Sequence, residues 1–297
     1  MNSPFFSTAS GWTIDGHTRL LGIIGDPVSH SLSPAMHNLA FLALGLNLRY
    51  LAFHVKPERL EEAVRGFAAQ GMVGFNATIP HKEALVGLMD RLDDQVALLG
   101  AVNTVAIDSQ GGLRGYNTDV HGFHAALEQA FPGRLQGARA VVLGAGGAAR
   151  AVVAGLVAGG VTSITVANRT AERGQKLLEE LAPALGQVTC RGVPLTAERI
   201  PLEECELLVN TTSMGLHGEP ISGVDVSRLP KEAVVNDIVY SPPVTPLMQA
   251  ALTRGLGVLN GLDMLIHQGA QAFRIWTGRE MPIPLIKAHL DGLAAKA

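Results

Sequence analysis

The chain contains little of what defines several large classes of protein. Among its 297 residues are only two cysteines, Cys190 and Cys205, and aromatic residues make up 5%. Two cysteines cannot build a disulfide framework, and these two lack the short paired spacing of a zinc site. We expect both to be reduced, which is typical of a cytoplasmic protein. The shortage of aromatic residues also argues against a platform for stacking nucleic-acid bases.

Strong net charge and long apolar runs are absent as well. The net charge is −3 at pH 7, whereas a nucleic-acid-binding protein usually carries a strong basic patch. No uninterrupted apolar run reaches the roughly 18 residues of a membrane-spanning helix. Residues 1–11 lack the basic and apolar regions of a secretory signal, and we expect about the first dozen residues to form a loose extension. The sequence therefore predicts a cytoplasmic protein that binds neither nucleic acid nor membrane.

Apolar residues, in contrast, are plentiful, at 47% of the chain. Their periodicity predicts alternating strands and helices. The predicted strands are 20–25, 48–55, 72–78, 102–107, 139–143, 163–167, 206–210 and 233–238. The main predicted helices are 33–45, 57–70, 119–131, 147–160 and those within 262–297. This alternation predicts an α/β fold of mostly parallel sheets with helices on both faces.

A glycine-rich run separates one predicted strand from the helix that follows. It consists of Gly144, Ala145, Gly146, Gly147, Ala148 and Ala149. Gly144 permits the tight turn, Gly146 lets the backbone approach a pyrophosphate, and Ala149 takes the third, packing position. Backbone N–H groups at the helix start then bind phosphates. With a strand before it and a helix after it, the run predicts a dinucleotide site rather than an ordinary turn.

The end of the next strand indicates which dinucleotide is bound. An NAD site places an acidic residue there to bind the ribose 2′-hydroxyl. This chain has Asn168, Arg169 and Thr170, and Arg173 follows one helical turn later. Guanidinium groups pair with a 2′-phosphate in bidentate fashion, so NADP is the predicted cofactor. Glu172 between the arginines is a counter-signal, and a solvated basic face is the alternative.

The length and this motif predict two domains. We expect an N-terminal α/β substrate domain over residues 1–119 and a Rossmann-type NADP-binding domain over residues 120–261. The helices within 262–297 follow the second sheet. The residues alone leave open whether these helices return to the first domain.

Lys82 and Asp119 are the predicted catalytic residues. Each lies in a short polar motif upstream of the glycine run. A lysine beside a carboxylate, facing a nicotinamide ring, suits a hydroxyl/ketone redox reaction, because one group takes the alcohol proton while the cofactor takes the hydride. Without the motif, a solvated lysine at a helix start would be the simpler interpretation of Lys82.

Further polar residues predict a site for a small, heavily hydroxylated molecule. Asn76 and Thr78 are two apart on a strand and therefore share one face, and Asn103 adds a carboxamide. Ser31 and Ser33 could bind a carboxylate or polyol, but from spacing alone Ser33 is more typical of a helix cap.

Some histidines are candidates for other chemistry. His121 and His124 are three apart on a predicted helix, which is compatible with metal binding, but no third ligand is evident and no metal is predicted. His81 precedes Lys82, and we expect its ring to point away from the site.

Together these motifs resemble the shikimate dehydrogenase family over about residues 20–290. The resemblance rests on the following segments in this order: Ser31-x-Ser33-Pro34 with His37-Asn38, Asn76-x-Thr78-x-Pro80-His81-Lys82, Ala101-x-Asn103-Thr104, Asn117-Thr118-Asp119-x-x-Gly122, the glycine run, Asn168-Arg169-Thr170, Asn210-x-x-Ser213-Met214-Gly215, Asp237-x-x-Tyr240-x-Pro242 and Gly261-x-x-Met264-Leu265-x-x-Gln268.

The resemblance implies a role for each matching residue. Lys82 would be the general acid in ketone reduction and the base in the reverse reaction, with Asp119 orienting and polarising. The implied substrate contacts are Ser31, Ser33 and Tyr240 at a carboxylate, and Asn76, Thr78, Asn103, Asp119 and Gln268 at hydroxyls. The implied cofactor contacts are Gly144, Ala145, Gly146, Gly147, Ala148, Asn168, Arg169, Thr170, Arg173, Thr211, Ser213, Met214, Ile238 and Gly261. Family members complete the substrate domain with their C-terminal helices, here 262–297.

The predicted activity is the NADPH-dependent reduction of 3-dehydroshikimate to shikimate. One alternative is a quinate/shikimate dehydrogenase that uses NAD, which Arg169 argues against. Another is a non-catalytic NADP-binding regulatory protein, which would be expected to have lost Lys82 or Asp119. The expected partner is a small-molecule substrate, and a homodimer is considered for the assembly.

Overall fold

A computed structural model describes residues 14–215 and 218–294, and its strands form two six-stranded sheets. The loose extension predicted for about the first dozen residues lies outside the described residues. Within residues 14–215 and 218–294, no helix is both long enough and apolar enough to cross a membrane.

The first sheet is built from the N-terminal part of the chain. Its strands are β1 (Arg19–Gly25), β2 (Leu48–His54), β3 (Gly74–Ala77), β4 (Arg91–Leu92), β5 (Thr104–Ile107) and β6 (Leu113–Tyr116), in the order β2-β1-β3-β5-β6-β4. The helices of this region are α1 (Ser33–Ala43), α2 (Leu60–Ala69), α3 (Asp94–Leu99) and α4 (Asp119–Ala130), with short 3₁₀ helices at Pro57–Arg59 and Ala84–Leu88.

This first sheet is mixed but mostly parallel, as predicted. β1 pairs in parallel with β2 and β3, and β4 pairs in parallel with β6, whereas β5 runs antiparallel to both β3 and β6. No strand was predicted between 107 and 119, but β5 and β6 form a hairpin there. Its turn is fixed because the Asp108 carboxylate accepts the N–H groups of Gln110 and Gly112, both at 2.8 Å, and Gly111 adopts a φ of 84°.

The second sheet is parallel throughout. Its strands are β7 (Arg139–Leu143), β8 (Ser163–Asn168), β9 (Thr189–Pro194), β10 (Leu207–Asn210), β11 (Val234–Asp237) and β12 (Gly257–Leu259), in the order β12-β11-β10-β7-β8-β9. Its helices are α5 (Gly147–Ala158), α6 (Ala171–Glu180), α7 (Ala182–Leu185) and α8 (Pro246–Thr253), with 3₁₀ helices at Leu202–Glu204 and Val226–Arg228. This is the doubly wound Rossmann arrangement, and the predicted fold class is confirmed.

The strand order of the second sheet reverses between β7 and β10. In such sheets the crevice at the carboxyl ends of these two strands is where ligands bind. Gly144 follows β7 and Thr211 follows β10, so the glycine run lies at this crevice.

The last two helices are α9 (Leu262–Thr277) and α10 (Ile283–Ala294). Both pack in the region of the first sheet: α9 contacts β5 and α1, and α10 contacts α1 and α9. Ile266 and Phe273 of α9 share a core with Leu21 and Ile23 of β1. Trp276 donates a hydrogen bond to the carbonyl oxygen of Val105 at 3.0 Å. The domain boundaries at 119/120 and 261/262 stay predictions.

Candidate active site

A cleft of about 460 Å³ lies between the two sheets. One wall is formed by the segments that follow β1 and β3, and the other by the first turn of α5 and the loop after β10. Most of the predicted site residues line it: Ser31, Ser33, Asn76, Thr78, Lys82, Asn103, Asp119, Gly146, Gly147, Ala148, Thr211, Ile238, Tyr240, Gly261 and Gln268.

Lys82 and Asp119 form a partly buried ion pair in this cleft. The distance from Lys82 Nζ to Asp119 Oδ2 is 2.7 Å, and the two side chains are 16% and 8% exposed. Asp119 is the first residue of α4, where the helix dipole favours a negative charge. A hydrogen bond between charged groups that are shielded from water fixes the direction of the ammonium group. Two of its N–H groups remain for a ligand in the cleft.

A buried amide fixes the other oxygen of the carboxylate. Asn103 Nδ2 donates to Asp119 Oδ1 at 2.8 Å. The Asn103 Oδ1 atom accepts the Thr118 N–H at 2.8 Å and the Thr104 hydroxyl at 3.0 Å. Thr104 and Thr118 were not predicted as site residues. The available signal was their position beside Asn103 and Asp119 in the two polar motifs.

Asn76 is held on three sides. Its Nδ2 donates to the Asn103 carbonyl oxygen at 3.1 Å and to Thr104 Oγ1 at 2.9 Å, while its Oδ1 accepts the Tyr50 hydroxyl at 2.6 Å. Tyr50 was also missed, because a tyrosine within a predicted strand gives no sign that its hydroxyl reaches a site. Thr78 follows β3 and lines the same wall.

The two serines lie at the start of α1, and the prediction that Ser33 caps this helix is wrong. Leu32 occupies the cap position and makes no side-chain cap bond, and Ser33 is the first helical residue. The hydroxyl that accepts a backbone N–H is that of Ser31, from Ser33 at 3.2 Å. A turn between Val28 and Ser31 precedes the helix, which begins one residue earlier than predicted, and Ser33 lines the cleft.

Tyr240 and Gln268 come from the far part of the chain. Burial raises the pKa of Tyr240, partly offset by a hydrogen bond with the Leu32 backbone, so this phenol is a neutral hydrogen-bonding group. Gln268 lies on α9, and its Oε1 is 3.3 Å from the Thr118 hydroxyl. The helix that follows the second sheet thus reaches the polar network of the first.

The glycine run gives the cleft a wall of bare backbone. Gly144 has a φ of 101°, and an added Cβ there would meet Thr211 Oγ1 at 2.8 Å. Nothing lies within 4 Å of an added Cβ on Gly146, and one on Gly147 would lie 3.7 Å from Lys82 Cδ. Ala145 packs against the core of the second sheet. Because α5 begins at this wall, its free N–H groups and positive dipole end suit a dinucleotide pyrophosphate.

The basic group predicted beyond β8 is solvent-exposed. Asn168 donates to the Thr170 carbonyl oxygen at 2.8 Å, which shapes the turn. Arg169 and Arg173 make no ion pair within the described ranges, and Glu172 is exposed beside them. Their guanidinium groups are available to an anion.

The remaining cofactor candidates divide into two groups. Thr211, Ile238 and Gly261 line the cleft, and an added Cβ on Gly261 would meet the Ile238 carbonyl oxygen at 1.9 Å, so only glycine fits. Ser213 and Met214 lie in the loop after β10, outside the cleft lining. Met214 packs against the core of the second sheet.

His81 does not line the cleft. His81 is buried and its Nε2 lies 2.7 Å from the Val55 carbonyl oxygen, so its ring points away from the site as expected. Over residues 14–215 and 218–294, no group of three or more His, Cys, Asp or Glu residues could hold a metal ion.

Most of the chain matches the models of one enzyme family. Residues 23–105 match the shikimate dehydrogenase substrate binding domain, residues 126–239 match shikimate / quinate 5-dehydrogenase, and residues 261–290 match the shikimate 5'-dehydrogenase C-terminal domain.

Individual proteins give the same result. The chain is 52% identical over 277 residues to the shikimate dehydrogenase (NADP(+)) of Magnetococcus marinus, covering 93% of this chain and 97% of that one. A crystal structure of a shikimate dehydrogenase in complex with NADP+ is 41% identical, with a TM-score of 0.86 over 94% of this chain and 96% of the other. The Thermus thermophilus enzyme in complex with NADP(H) and shikimate is 37% identical, with a TM-score of 0.79 over 91% and 97%. The chain therefore belongs to the shikimate dehydrogenase family.

Proposed function

We propose that the protein is an NADP-dependent shikimate dehydrogenase, which catalyses the reversible reduction of 3-dehydroshikimate to shikimate in the biosynthesis of chorismate and the aromatic amino acids. The observation that carries the proposal is the Lys82–Asp119 pair, 2.7 Å apart, in a cleft whose opposite wall is the glycine run. A proton-transfer group and a dinucleotide wall in one cleft are the requirements of a ketone/alcohol oxidoreductase.

In this mechanism Lys82 moves the proton. Its ammonium group donates a proton to the ketone oxygen as the alcohol forms, and the neutral amine takes a proton back from solvent. In the oxidation direction the neutral amine accepts the hydroxyl proton. Asp119 orients the ammonium group and stabilises its charge. When bound, NADP(H) supplies or accepts the hydride.

The cofactor is assigned to the second sheet. Backbone N–H groups of Gly146, Gly147 and Ala148 suit the pyrophosphate, and Ile238 and Gly261, which line the cleft, are assigned to the nicotinamide ring. Arg169 and Arg173 suit the 2′-phosphate, and this is the basis for NADP over NAD. Gly144, Ala145, Asn168, Thr170 and Thr211 shape these turns, whereas Ser213 and Met214 are assigned to the cofactor from the family motif alone.

The substrate is assigned to the first sheet and α9. We place the carboxylate at Ser31, Ser33 and Tyr240, because hydroxyl donors are what a carboxylate binds in a partly buried site. The ring hydroxyls are assigned to the polar network of Asn76, Thr78, Asn103, Asp119 and Gln268.

A cytoplasmic location is proposed as well. For the oligomeric state, light scattering on the purified protein would distinguish a monomer from a homodimer.

The test is the oxidation of shikimate and of quinate, each with NADP and with NAD, followed by absorbance at 340 nm. The highest kcat/KM is expected for shikimate with NADP. A preference for quinate or for NAD would instead make the chain a quinate/shikimate dehydrogenase. No turnover in any pairing, with NADPH still bound, would favour the non-catalytic regulatory function.

A further inference from the structure

Tyr50 lies outside the cleft but is hydrogen-bonded to Asn76, which lines it. It is the third residue of β2 and is fully buried. Asn38 on α1 holds its backbone with two hydrogen bonds, from Asn38 Nδ2 to the Tyr50 carbonyl oxygen at 2.8 Å and from the Tyr50 N–H to Asn38 Oδ1 at 2.9 Å. The ring stacks on His37 at 4.4 Å between centroids, and Trp276 lies 6.1 Å away. The phenol is therefore fixed in position from both ends of the residue.

The hydroxyl of this fixed ring reaches across β1 to Asn76 on β3. Tyr50 pairs with Leu21 of β1, and Asn76 pairs with Ile23. Leu21 and Ile23 are two apart on one strand, so all four side chains share one face of the sheet. The contact that results is the 2.6 Å hydrogen bond to Asn76 Oδ1.

The partners of Asn76 decide which way its amide points. The Asn103 backbone carbonyl can only accept, so the atom 3.1 Å from it must be Nδ2. The second N–H of Nδ2 is used by Thr104 Oγ1. Both donors of the amide are thus occupied inside the protein. One of the two lone pairs on Oδ1 accepts from Tyr50, and a single acceptor position remains for the cleft.

The Tyr50 phenol is neutral at neutral pH and can therefore donate this hydrogen bond. Burial raises the pKa of its phenol well above the usual value, and a hydrogen bond with the Ser33 side chain opposes this only in part. The phenol therefore connects Asn76 with Ser33, which are both assigned to the substrate.

We propose that Tyr50 is a positioning residue: its hydroxyl holds the side-chain oxygen of Asn76, whose two N–H donors are already occupied, as an acceptor-only contact, so that the substrate must present a hydroxyl donor to this point of the cleft. A ketone or an ether oxygen there would face an acceptor and be disfavoured, because a buried acceptor is left unpaired. This inference rests on the proposed function, and it adds a residue that discriminates among polyhydroxylated acids without touching them.

The test is the variant Tyr50→Phe, which keeps the ring and its packing. We expect the KM for shikimate to rise about tenfold, as for the loss of one buried hydrogen bond, with kcat within about twofold of the wild type and the KM for NADP unchanged. Tyr116→Phe, a tyrosine whose ring lies under Arg114, is the matched control and should change none of these values. An unchanged KM for shikimate in Tyr50→Phe would overturn the proposal, as would an equal rise in the KM for NADP.

Two further measurements identify Asn76 as the intermediary. In an Asn76→Ala background, Tyr50→Phe should have no further effect on the KM for shikimate, and a second, independent tenfold rise would contradict the coupling. The second measurement uses shikimate analogues that each lack one non-reacting hydroxyl, with the wild type and Tyr50→Phe. For the analogue that lacks the hydroxyl bound by Asn76, Tyr50→Phe should not raise the KM. A rise in KM for every analogue would refute the role of Tyr50. Wild-type oxidation of shikimate is measured first, because its absence contradicts the proposed function rather than the role of Tyr50.

Discussion

At the scale of single residues, the site is a chain of hydrogen bonds that ends at one ammonium group. Asn103 fixes one oxygen of Asp119, and the other oxygen accepts from Lys82. Thr104 and Thr118 fix Asn103 in turn. No flexible surface group takes part, so the direction of the Lys82 ammonium is set before the substrate enters the cleft. Such preorganisation lowers the barrier because little has to reorient during proton transfer.

The burial of His37 predicts how the free energy of unfolding depends on pH. Both its ring nitrogens lack a hydrogen-bond partner, and burial lowers its pKa from 6.5 to about 3. As the pH falls below 6.5, His37 becomes protonated in the unfolded chain but stays neutral in the folded chain. The contribution of His37 to the free energy of unfolding is therefore fully present above pH 6.5 and is lost as the pH falls from there towards 3. The loss amounts to about 2 kcal/mol at pH 5.

Urea unfolding at pH 7.5 and pH 5 measures this effect. The variant His37→Phe, which keeps an aromatic ring in the cluster, should lose about 2 kcal/mol less than the wild type over this interval. His289→Gln, at an exposed position of α10, should behave as the wild type does. An acid sensitivity that is the same in His37→Phe would show that other groups cause it.

The position of Arg169 predicts a preference for NADP over NAD. A guanidinium that pairs with the 2′-phosphate contributes only when that phosphate is present, so Arg169→Gln should raise the KM for NADP about tenfold and leave the KM for NAD within about twofold. Arg279→Gln, another exposed arginine, is the control. Equal changes with both cofactors would mean that Arg169 does not recognise the phosphate.

At the scale of elements, one arginine connects the helix of the glycine run to the first sheet's region. Arg150 on α5 donates to the Leu99 carbonyl oxygen of α3 at 3.2 Å and lies 3.7 Å from Glu83, the residue after Lys82. It also pairs with Glu180 of α6, and its side chain is 13% exposed. α5 is thereby held against both α3 and the segment that carries Lys82.

Arg150→Met should lower stability by about 1–2 kcal/mol, because the Leu99 carbonyl loses its donor. This corresponds to a fall of a few degrees in Tm. Arg65→Met breaks an exposed pair with Glu61 four residues away, and such pairs contribute about 0.5 kcal/mol or less. Thermal unfolding of both variants gives the comparison. Equal effects would mean that Arg150 acts only as a surface ion pair.

The elements also show how far the sequence predicts the structure. β7, with its five apolar-rich residues, and the helix after the glycine run were predicted because burial, periodicity and turn chemistry agree there. β4, β6, β9 and β12 were missed. β4, β6 and β12 have only two to four residues, and β4, β9 and β12 are edge strands. β9 also contains Gly192 and Pro194, which are rare in strands. Pairing with a neighbour, which no local pattern records, determines them.

The same distinction applies to the site. Residue types and motifs predicted Lys82, Asp119 and Asn103, since polar side chains at strand ends are a local signal. They could not predict the contact of Tyr50 with Asn76, because it joins β2 to β3 across an intervening strand. The cap assigned to Ser33 was wrong by one residue: Leu32 occupies the cap position, after a turn between Val28 and Ser31.

At the scale of the whole molecule, the two sheets contribute different walls to the cleft. The first sheet and α9 present hydroxyl and amide groups to one side of the cleft, while the second sheet presents bare backbone to the other. Lys82 lies close to the opposite wall, since an added Cβ on Gly147 would be 3.7 Å from Lys82 Cδ. The reacting ketone and the hydride carrier are therefore expected to meet beside this lysine.

The measurement that tests this account most directly compares the wild type with Lys82→Ala in NADPH formation from shikimate, with NADPH binding measured on the same samples. We predict that kcat falls by about 10²- to 10⁴-fold, that the Kd for NADPH stays within about twofold, and that Lys231→Ala, at an exposed position, matches the wild type. Undiminished turnover in Lys82→Ala, or a loss of NADPH binding as large as the loss of turnover, would contradict the assignment of Lys82 as the proton-transfer group.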